Sequence, residues 1–344
     1  MGVQISDIIP RKEIELSDLK GKIIAIDAFN TLYQFLTTIR QQDGTPLMDL
    51  KGNITSHLSG LLYRNINLLA EGIKLIYVFD GVPPELKLKE IEERQKAKEI
   101  AQEKYEIAKE QEEEKDMKKY ASQTVKLTKQ ILEESKELLI ALGIPVIQAE
   151  SEGEAEAAGI AKNKFAWASA SQDYDSLLFG APRLIRNLTL SRKRKTSSGA
   201  YVDTSIEMIE FEDVLNKLQI NQDQLICLAI LVGTDYNPGG VKGIGQKRAL
   251  EIVQKYQYPV PIFEFVANSD KYSLEFDWQE VYKQFKEFKT KTTEKIPELN
   301  INKEKVIEIL VNRHDFSKER IDSALDKLKV LEENKKQKGL HEFW

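Results

Sequence analysis

Apolar runs of strand length and longer polar-apolar stretches alternate through the first half of the chain. Lys22-Ile23-Ile24-Ala25-Ile26-Asp27 is one near-continuous apolar run, and Lys74-Leu75-Ile76-Tyr77-Val78-Phe79-Asp80 is a second. Shorter runs at Pro145–Ala149, Phe165–Ala170 and Arg183–Asn187 predict three further strands. Between them the pattern predicts helices near Phe29–Gln41 and over Ile54–Ala70. Strands that are apolar on both faces and separated by helices imply an α/β fold with a mostly parallel central sheet. In such sheets ligands collect outside the carboxyl ends of the strands.

Glu85–Lys119 breaks this rhythm with 22 charged residues in 35, 12 acidic and 10 basic. Its surface reads as a solvated helix held by i,i+4 pairs, and it cannot be a core helix. Rooted directly after a strand end, such an insertion can project over a site. After Ser205 the chain turns mainly helical, and Arg192-Lys193-Arg194-Lys195 before Thr196-Ser197-Ser198-Gly199 predicts an exposed basic hairpin tip. The segment after Lys335 is short and polar until its last residues, and no internal repeat is present.

Composition narrows the chemistry. The 344 residues are 41% hydrophobic and 31% charged, which describes a soluble globular chain with a real core. No apolar run approaches membrane-spanning length and no leader opens the chain. Met1-Gly2-Val3-Gln4-Ile5-Ser6 fits a loose myristoylation pattern, but no basic patch or second anchor adjoins it. One cysteine, Cys227, sits in an apolar run where it reads as packing, and the three histidines are scattered. Disulfide frameworks, Cys-rich zinc sites and His-based nucleophilic catalysis are thereby set aside; carboxylates with hard metal ions remain. A net charge of −5 excludes a globally basic nucleic-acid binder but not a basic face beside an acidic pocket.

The acidic residues fall in a pattern. Asp27 and Asp80 each end an apolar strand, Glu152 and Glu154 follow a third, and Asp173 and Asp175 follow a fourth. Singly, each has a dull explanation as a strand terminator or helix cap, and Ser151-Glu152-Gly153-Glu154 is a fair capping box. A parallel sheet brings all six to one edge, where Asp235 can join them from the helix Gln222–Val232. Clustered like charges cost stability unless cations are bound. A nest of oxygen ligands suits magnesium or manganese, and two such ions can drive phosphodiester hydrolysis.

Gly239-Gly240-Val241-Lys242-Gly243-Ile244-Gly245-Gln246-Lys247-Arg248 reads as a glycine hairpin opening a helix. It fails as an ATPase phosphate loop, because Gln246 stands where lysine would follow Gly245, and it lacks the third glycine of a dinucleotide fingerprint. It suits a helix–hairpin–helix, in which backbone N–H groups approach a phosphate and Lys242, Lys247 and Arg248 add charge. The plainer reading is a tight turn between packed helices. At the C-terminus Gln337, Leu340, Phe343 and Trp344 stand on a polar tail; the three apolar groups share one face of a helical turn and need a partner.

With these residues in view, the chain resembles the flap endonucleases over nearly its whole length. The blocks Ile26-Asp27-Ala28, Tyr77-Val78-Phe79-Asp80-Gly81-Val82-Pro83-Pro84, Ser151-Glu152-Gly153-Glu154-Ala155, Asp173-Tyr174-Asp175, Gly233-Thr234-Asp235-Tyr236 and Gly243-Ile244-Gly245 stand in family order. The resemblance implies a PIN-like 5′-nuclease fold, with one nuclease domain over 1–335. Its parts would be an N-terminal portion (1–84), a helical arch (85–130), an internal portion (131–235), the helix–hairpin–helix (221–256) and a C-terminal helical part (257–335). It implies two magnesium ions, for which manganese can substitute, one held mainly by Asp27, Asp80, Glu152 and Glu154 and the other by Asp173, Asp175 and Asp235. Lys87 and Arg94, seven apart, match the pair at the arch base that contacts the scissile phosphate. Tyr33 matches a residue that stacks on a nucleotide, and Gly2 an N-terminus lying close to the site, which favours the unacylated reading. The hairpin with Gly243 and Gly245 would grip duplex DNA with help from potassium. The loop Asp43–Lys51 and the helix containing Thr55 correspond to the region that accepts a one-nucleotide 3′ flap.

Residues 336–344 match the clamp-binding peptide of the family, so the expected partners are 5′-flap DNA and a sliding clamp, with no membrane and a monomer on its own. The basic tail of eukaryotic members does not follow Trp344. With the Lys/Glu-rich composition this points to an archaeal, cytoplasmic and nucleoid-associated protein rather than a nuclear one. Two other readings compete: a non-catalytic clamp-tethered scaffold, which the carboxylate repulsion argues against, and a related nuclease of RNA or junctions, which the arch and clamp peptide disfavour.

Overall fold

A computed structural model describes residues 2–41, 43–111, 113–190, 193–195, 201–290, 297 and 300–328. In chain order the elements are β1 (Lys12–Ile14), β2 (Ile23–Asp27), α1 (Ala28–Thr38), α2 (Ser56–Ala70), β3 (Lys74–Phe79), α3 (Glu85–Glu110), α4 (Glu114–Ala121), α5 (Lys129–Ala141), β4 (Val146–Gln148), α6 (Gly153–Lys162), β5 (Ala168–Ala170), α7 (Asp175–Leu178) and β6 (Arg183–Arg186). There follow β7 (Lys193–Lys195), β8 (Tyr201–Asp203), β9 (Ile206–Glu210), α8 (Phe211–Leu218), α9 (Gln222–Val232), α10 (Gln246–Tyr256), α11 (Pro259–Ala267), α12 (Trp278–Lys286) and α13 (Lys303–Ile307).

Seven strands form one sheet in the order β1-β9-β6-β5-β2-β3-β4. The five strands from β6 to β4 are parallel, as the apolar runs predict, while β9 pairs antiparallel to β6 and β1 antiparallel to β9. After Ser205 the chain is mainly helical, as expected, with β9 preceding the helices. β1 and β9 are short and interrupted by charged residues, so neither shows the continuous apolar run of a buried strand.

Period-two alternation explains why the central strands look apolar throughout. Leu75, Tyr77 and Phe79 of β3 face a core built with α1, α2 and α5, whereas Ile76 and Val78 face one built with α6. A further core, around the apolar run Leu225–Val232 of α9 with α10–α12, holds Cys227 buried. The charged insertion folds as α3 against α4, with Glu90, Ala101 and Ala108 its buried positions. β7 and β8 pair as the predicted hairpin, whose tip falls outside the described residues.

Candidate active site

The parallel register sets the site. β2 lies between β5 and β3, and β3 beside β4, so the segments leaving all four strands emerge at one edge. Asp27, the last residue of β2, caps α1 by accepting the Asn30 N–H at 3.1 Å. Asp80 follows β3 and accepts the Gly153 N–H at 2.6 Å. A Cβ at Gly153 would sit 2.7 Å from that same carboxylate oxygen, so glycine is what lets the two segments close. Asp173 and Asp175 leave β5; Asp235 arrives after α9. The capping box expected at Ser151 does not form: α6 is capped at Glu152 with no side-chain cap bond, which leaves Glu152 and Glu154 free for the cleft.

These carboxylates repel one another. Burial, reinforced by Asp80 and Asp173, pushes the Asp27 carboxyl well above its usual range. Burial likewise raises Asp80, with Glu152 adding to it, and Glu154, with Asp175, Asp27 and Asp173 adding to it. Asp175 is pushed up to about 7 by burial and by Asp235 and Asp173. Each effect is what a charge-dense, poorly hydrated pocket imposes.

Cations answer part of that charge. Lys87 Nζ contacts Glu152 and lies 3.2 Å from Asp235; burial alone would lower its pKa, but these two acids outweigh burial and raise it. Arg94 Nη2 lies 2.9 Å from Asp235, and its Nε contacts Glu90. The seven-residue spacing thus delivers both side chains to the cleft. Gly2 N–H donates to Asp173 Oδ1 and Val3 N–H to Asp175 Oδ1, each at 3.0 Å, and a Cβ at Gly2 would clash with Asp173 at 2.6 Å.

Four participants escape the sequence reading. Asn30 donates to Asp173 Oδ2 at 3.0 Å, and the Tyr236 hydroxyl donates to Glu152. Lys98 donates to the Tyr33 hydroxyl at 2.7 Å and lies 4.7 Å from its ring centroid. Glu90 anchors Arg94. The helical spacing 87, 90, 94, 98 carried the signal for Glu90 and Lys98; Asn30 and Tyr236 act through folding contacts that spacing does not encode.

The glycine hairpin joins α9 to α10. Gly240 (φ 57°) and Gly243 (φ 87°) adopt left-handed backbone, and Gly245 caps α10 with open space where a Cβ would be. Lys242, Gly243, Gly245, Lys247 and Arg248 are exposed together. Arg248 is already tied to Glu251 at 2.6 Å and to the Tyr272 hydroxyl, so the two lysines are the freer charges. Thr55 is 4% exposed at the head of α2, and its N–H bonds Leu47 O at 2.7 Å, which ties the 47–55 loop to that helix. Gln337, Leu340, Phe343 and Trp344 lie outside the described residues.

The donor set fits hard divalent ions: all oxygen, charge-dense, with Glu154 Oε1 buried and lacking a hydrogen-bond partner. Among the described residues no three carboxylates converge into a closed ligand shell. Magnesium, which keeps several of its own waters, needs no such shell.

An acidic cleft at the sheet edge, bordered by the α3 cations Lys87 and Arg94 and flanked by a glycine hairpin, marks an α/β protein of the nuclease class. Comparison with known proteins is specific. Residues 1–101 match the XPG N-terminal domain and residues 143–235 the XPG I-region. Flap endonuclease 1 of Pyrococcus furiosus is 50% identical over 349 residues, covering 100% of this chain and 99% of its own. That of Sulfolobus acidocaldarius is 50% identical over 351 residues, with the same coverage. The solved flap endonuclease-1 of Methanococcus jannaschii superposes with a TM-score of 0.76 at 43% identity, over 97% of this chain and 100% of that one. The catalytic core of Rad2, solved with a DNA substrate, shares the fold at 22% identity and a TM-score of 0.70, over 92% of this chain and 96% of that one. This chain belongs to the flap endonuclease family, and its origin is archaeal.

Proposed function

We propose that this flap endonuclease uses the sheet-edge carboxylates, with two magnesium ions, to hydrolyse the phosphodiester at the base of a 5′ flap. The chain is a structure-specific 5′ nuclease of DNA replication and repair. The observation that carries the site assignment is the gathering of Asp27, Asp80, Glu152, Glu154, Asp173, Asp175 and Asp235 at one sheet edge, with four of them pushed above the usual carboxylate range by burial and mutual repulsion.

When bound, two divalent ions would supply Lewis-acid polarisation of the scissile phosphate; manganese can replace magnesium. Lys87 and Arg94, on one face of α3, are placed to neutralise the phosphate charge that grows in the transition state. Tyr33, steadied by Lys98, offers an aromatic face for the nucleotide beside the cut. Gly2 and Val3 hold Asp173 and Asp175 through backbone N–H groups, which fixes their oxygens toward the cleft. The hairpin lysines Lys242 and Lys247 grip a phosphate backbone without reading sequence, potassium assisting there. Residues 337–344 tether the enzyme, a monomer on its own, to a sliding clamp in the archaeal cytoplasm.

The test is a labelled 5′-flap duplex in magnesium and in chelator, cut by the parent and by Asp175→Ala. Cleavage by the parent in magnesium alone, with Asp175→Ala inert yet binding flap DNA within a few-fold, is expected. Near-normal turnover by the variant at saturating magnesium contradicts the site assignment.

A further inference from the structure

A cavity of about 710 Å³ opens at the opposite end of the sheet from the acidic cleft. Its walls include Lys22, Trp167 and Arg183, which stand at the amino ends of the neighbouring parallel strands β2, β5 and β6. The Arg183 guanidinium carbon lies 4.7 Å from the Trp167 ring centroid and Lys22 Nζ 5.4 Å from it. Lys162 and Lys164, both exposed, add two more cations to the lining. Of the two acids in the lining, Glu210 and Glu212, the first lies 3.6 Å from Lys12 Nζ. Among the described residues none of the four lining cations is within ion-pair distance of a carboxylate.

We infer that this cavity is a second anion site, for a phosphate-bearing ligand of about mononucleotide size. Its volume falls in the range of roughly 300–1,000 Å³ typical of small-molecule sites. The Arg183 guanidinium sits over the Trp167 ring, a cation–π contact that holds the side chain at the cavity, and a guanidinium is the side-chain group that matches phosphate best. The lysines of the lining supply further charge. Elsewhere in the chain basic side chains at comparable positions are engaged: Arg186 with Glu207 at 2.8 Å, Arg313 with Glu137 at 2.7 Å. What sets this place apart is that four cations without a carboxylate partner among the described residues line one cavity together. Phosphodiester hydrolysis furnishes one source of such a ligand, phosphorylated nucleotides; free phosphate is another. The inference stands on the cavity alone and does not depend on which residues cut DNA.

Isothermal titration of the full chain in chelator, which removes metal-mediated binding at the cleft, tests it with dAMP, inorganic phosphate and deoxyadenosine. Saturable one-site binding of dAMP is expected, with deoxyadenosine at least about tenfold weaker, since loss of a charge-assisted contact typically costs that much. The surface variant Lys162→Ala/Lys164→Ala should weaken dAMP severalfold and Arg183→Gln about tenfold or more, while Asp175→Ala leaves it unchanged. Inorganic phosphate binding as tightly as dAMP supports the phosphate class and assigns free phosphate as the source. Absence of saturable binding by either anion, deoxyadenosine binding equal to dAMP, or full affinity in the lysine variant overturns the proposal.

Discussion

Asp175 concentrates the argument at the scale of single residues. It is buried, accepts the Val3 N–H, and is raised to about 7 chiefly by burial. A carboxyl whose folded pKa exceeds its unfolded value stabilises the fold when protonated and loses that contribution as pH rises through the folded value. Asp27, Asp80 and Glu154 shift in the same direction, so their effects add. Metal-stripped protein should therefore lose stability as pH climbs from about 4 through about 7, and melting curves at pH 5 and 8 in chelator will show it. Asp49 and Glu134 are held below their usual range, so what they contribute is lost as pH falls rather than as it rises. Magnesium should raise the melting temperature more at pH 8 than at pH 5, because protons and cations compete for the same oxygens. Equal magnesium effects at both pH values would detach the carboxylates from metal binding.

At the scale of elements, α3 does two things that its sequence displayed unequally. Its polar surface and the seven-residue step from Lys87 to Arg94 were legible, because a helix repeats every 3.6 residues and the charges left no core face. That Lys87 reaches Glu152 and Asp235, and Arg94 reaches Asp235, depends on where Pro84 releases the helix from β3, which only the fold supplies. Lys87→Ala and Arg94→Ala should each lower the single-turnover rate about a hundredfold or more, near 3 kcal/mol, with binding within a few-fold. Parental rates on saturating substrate would reduce α3 to a solvated helix. The hairpin between α9 and α10 makes the converse prediction. Lys242→Ala/Lys247→Ala should weaken duplex binding and lower the slope of log affinity against log salt by about 1.8, leaving the rate at saturation intact. An unchanged slope means that these lysines do not meet phosphates. The hairpin was readable from its glycines, whereas the burial of Thr55 was not, since a helix-capping threonine and a ligand-binding one look alike in sequence.

On the scale of the whole molecule, the fold brings acids from five scattered sequence blocks to one sheet edge. The parallel strands announced themselves as apolar runs; β1 and β9, short and interrupted by charged residues, did not, and neither changes where the acids gather. The cavity beneath Trp167 was invisible in the sequence because its lysines and arginine come from segments with no shared motif. The tail lies beyond every catalytic block, so deleting Gln337–Trp344 should leave cleavage of a free flap nearly unchanged. The same deletion should abolish stimulation by a sliding clamp, and Phe343→Ala/Trp344→Ala should mimic it. Undiminished clamp binding by the truncated chain, measured by calorimetry, would place that contact elsewhere.

If one edge of one sheet cuts one bond, product length from an end-labelled 5′-flap duplex reads that directly. With magnesium the parent should release the flap as a discrete product from the branch point. In chelator, and with Asp175→Ala in magnesium, the substrate should remain whole although still bound. Cleavage that persists in chelator, or in Asp175→Ala at saturating magnesium, would contradict a carboxylate-held metal centre at this edge.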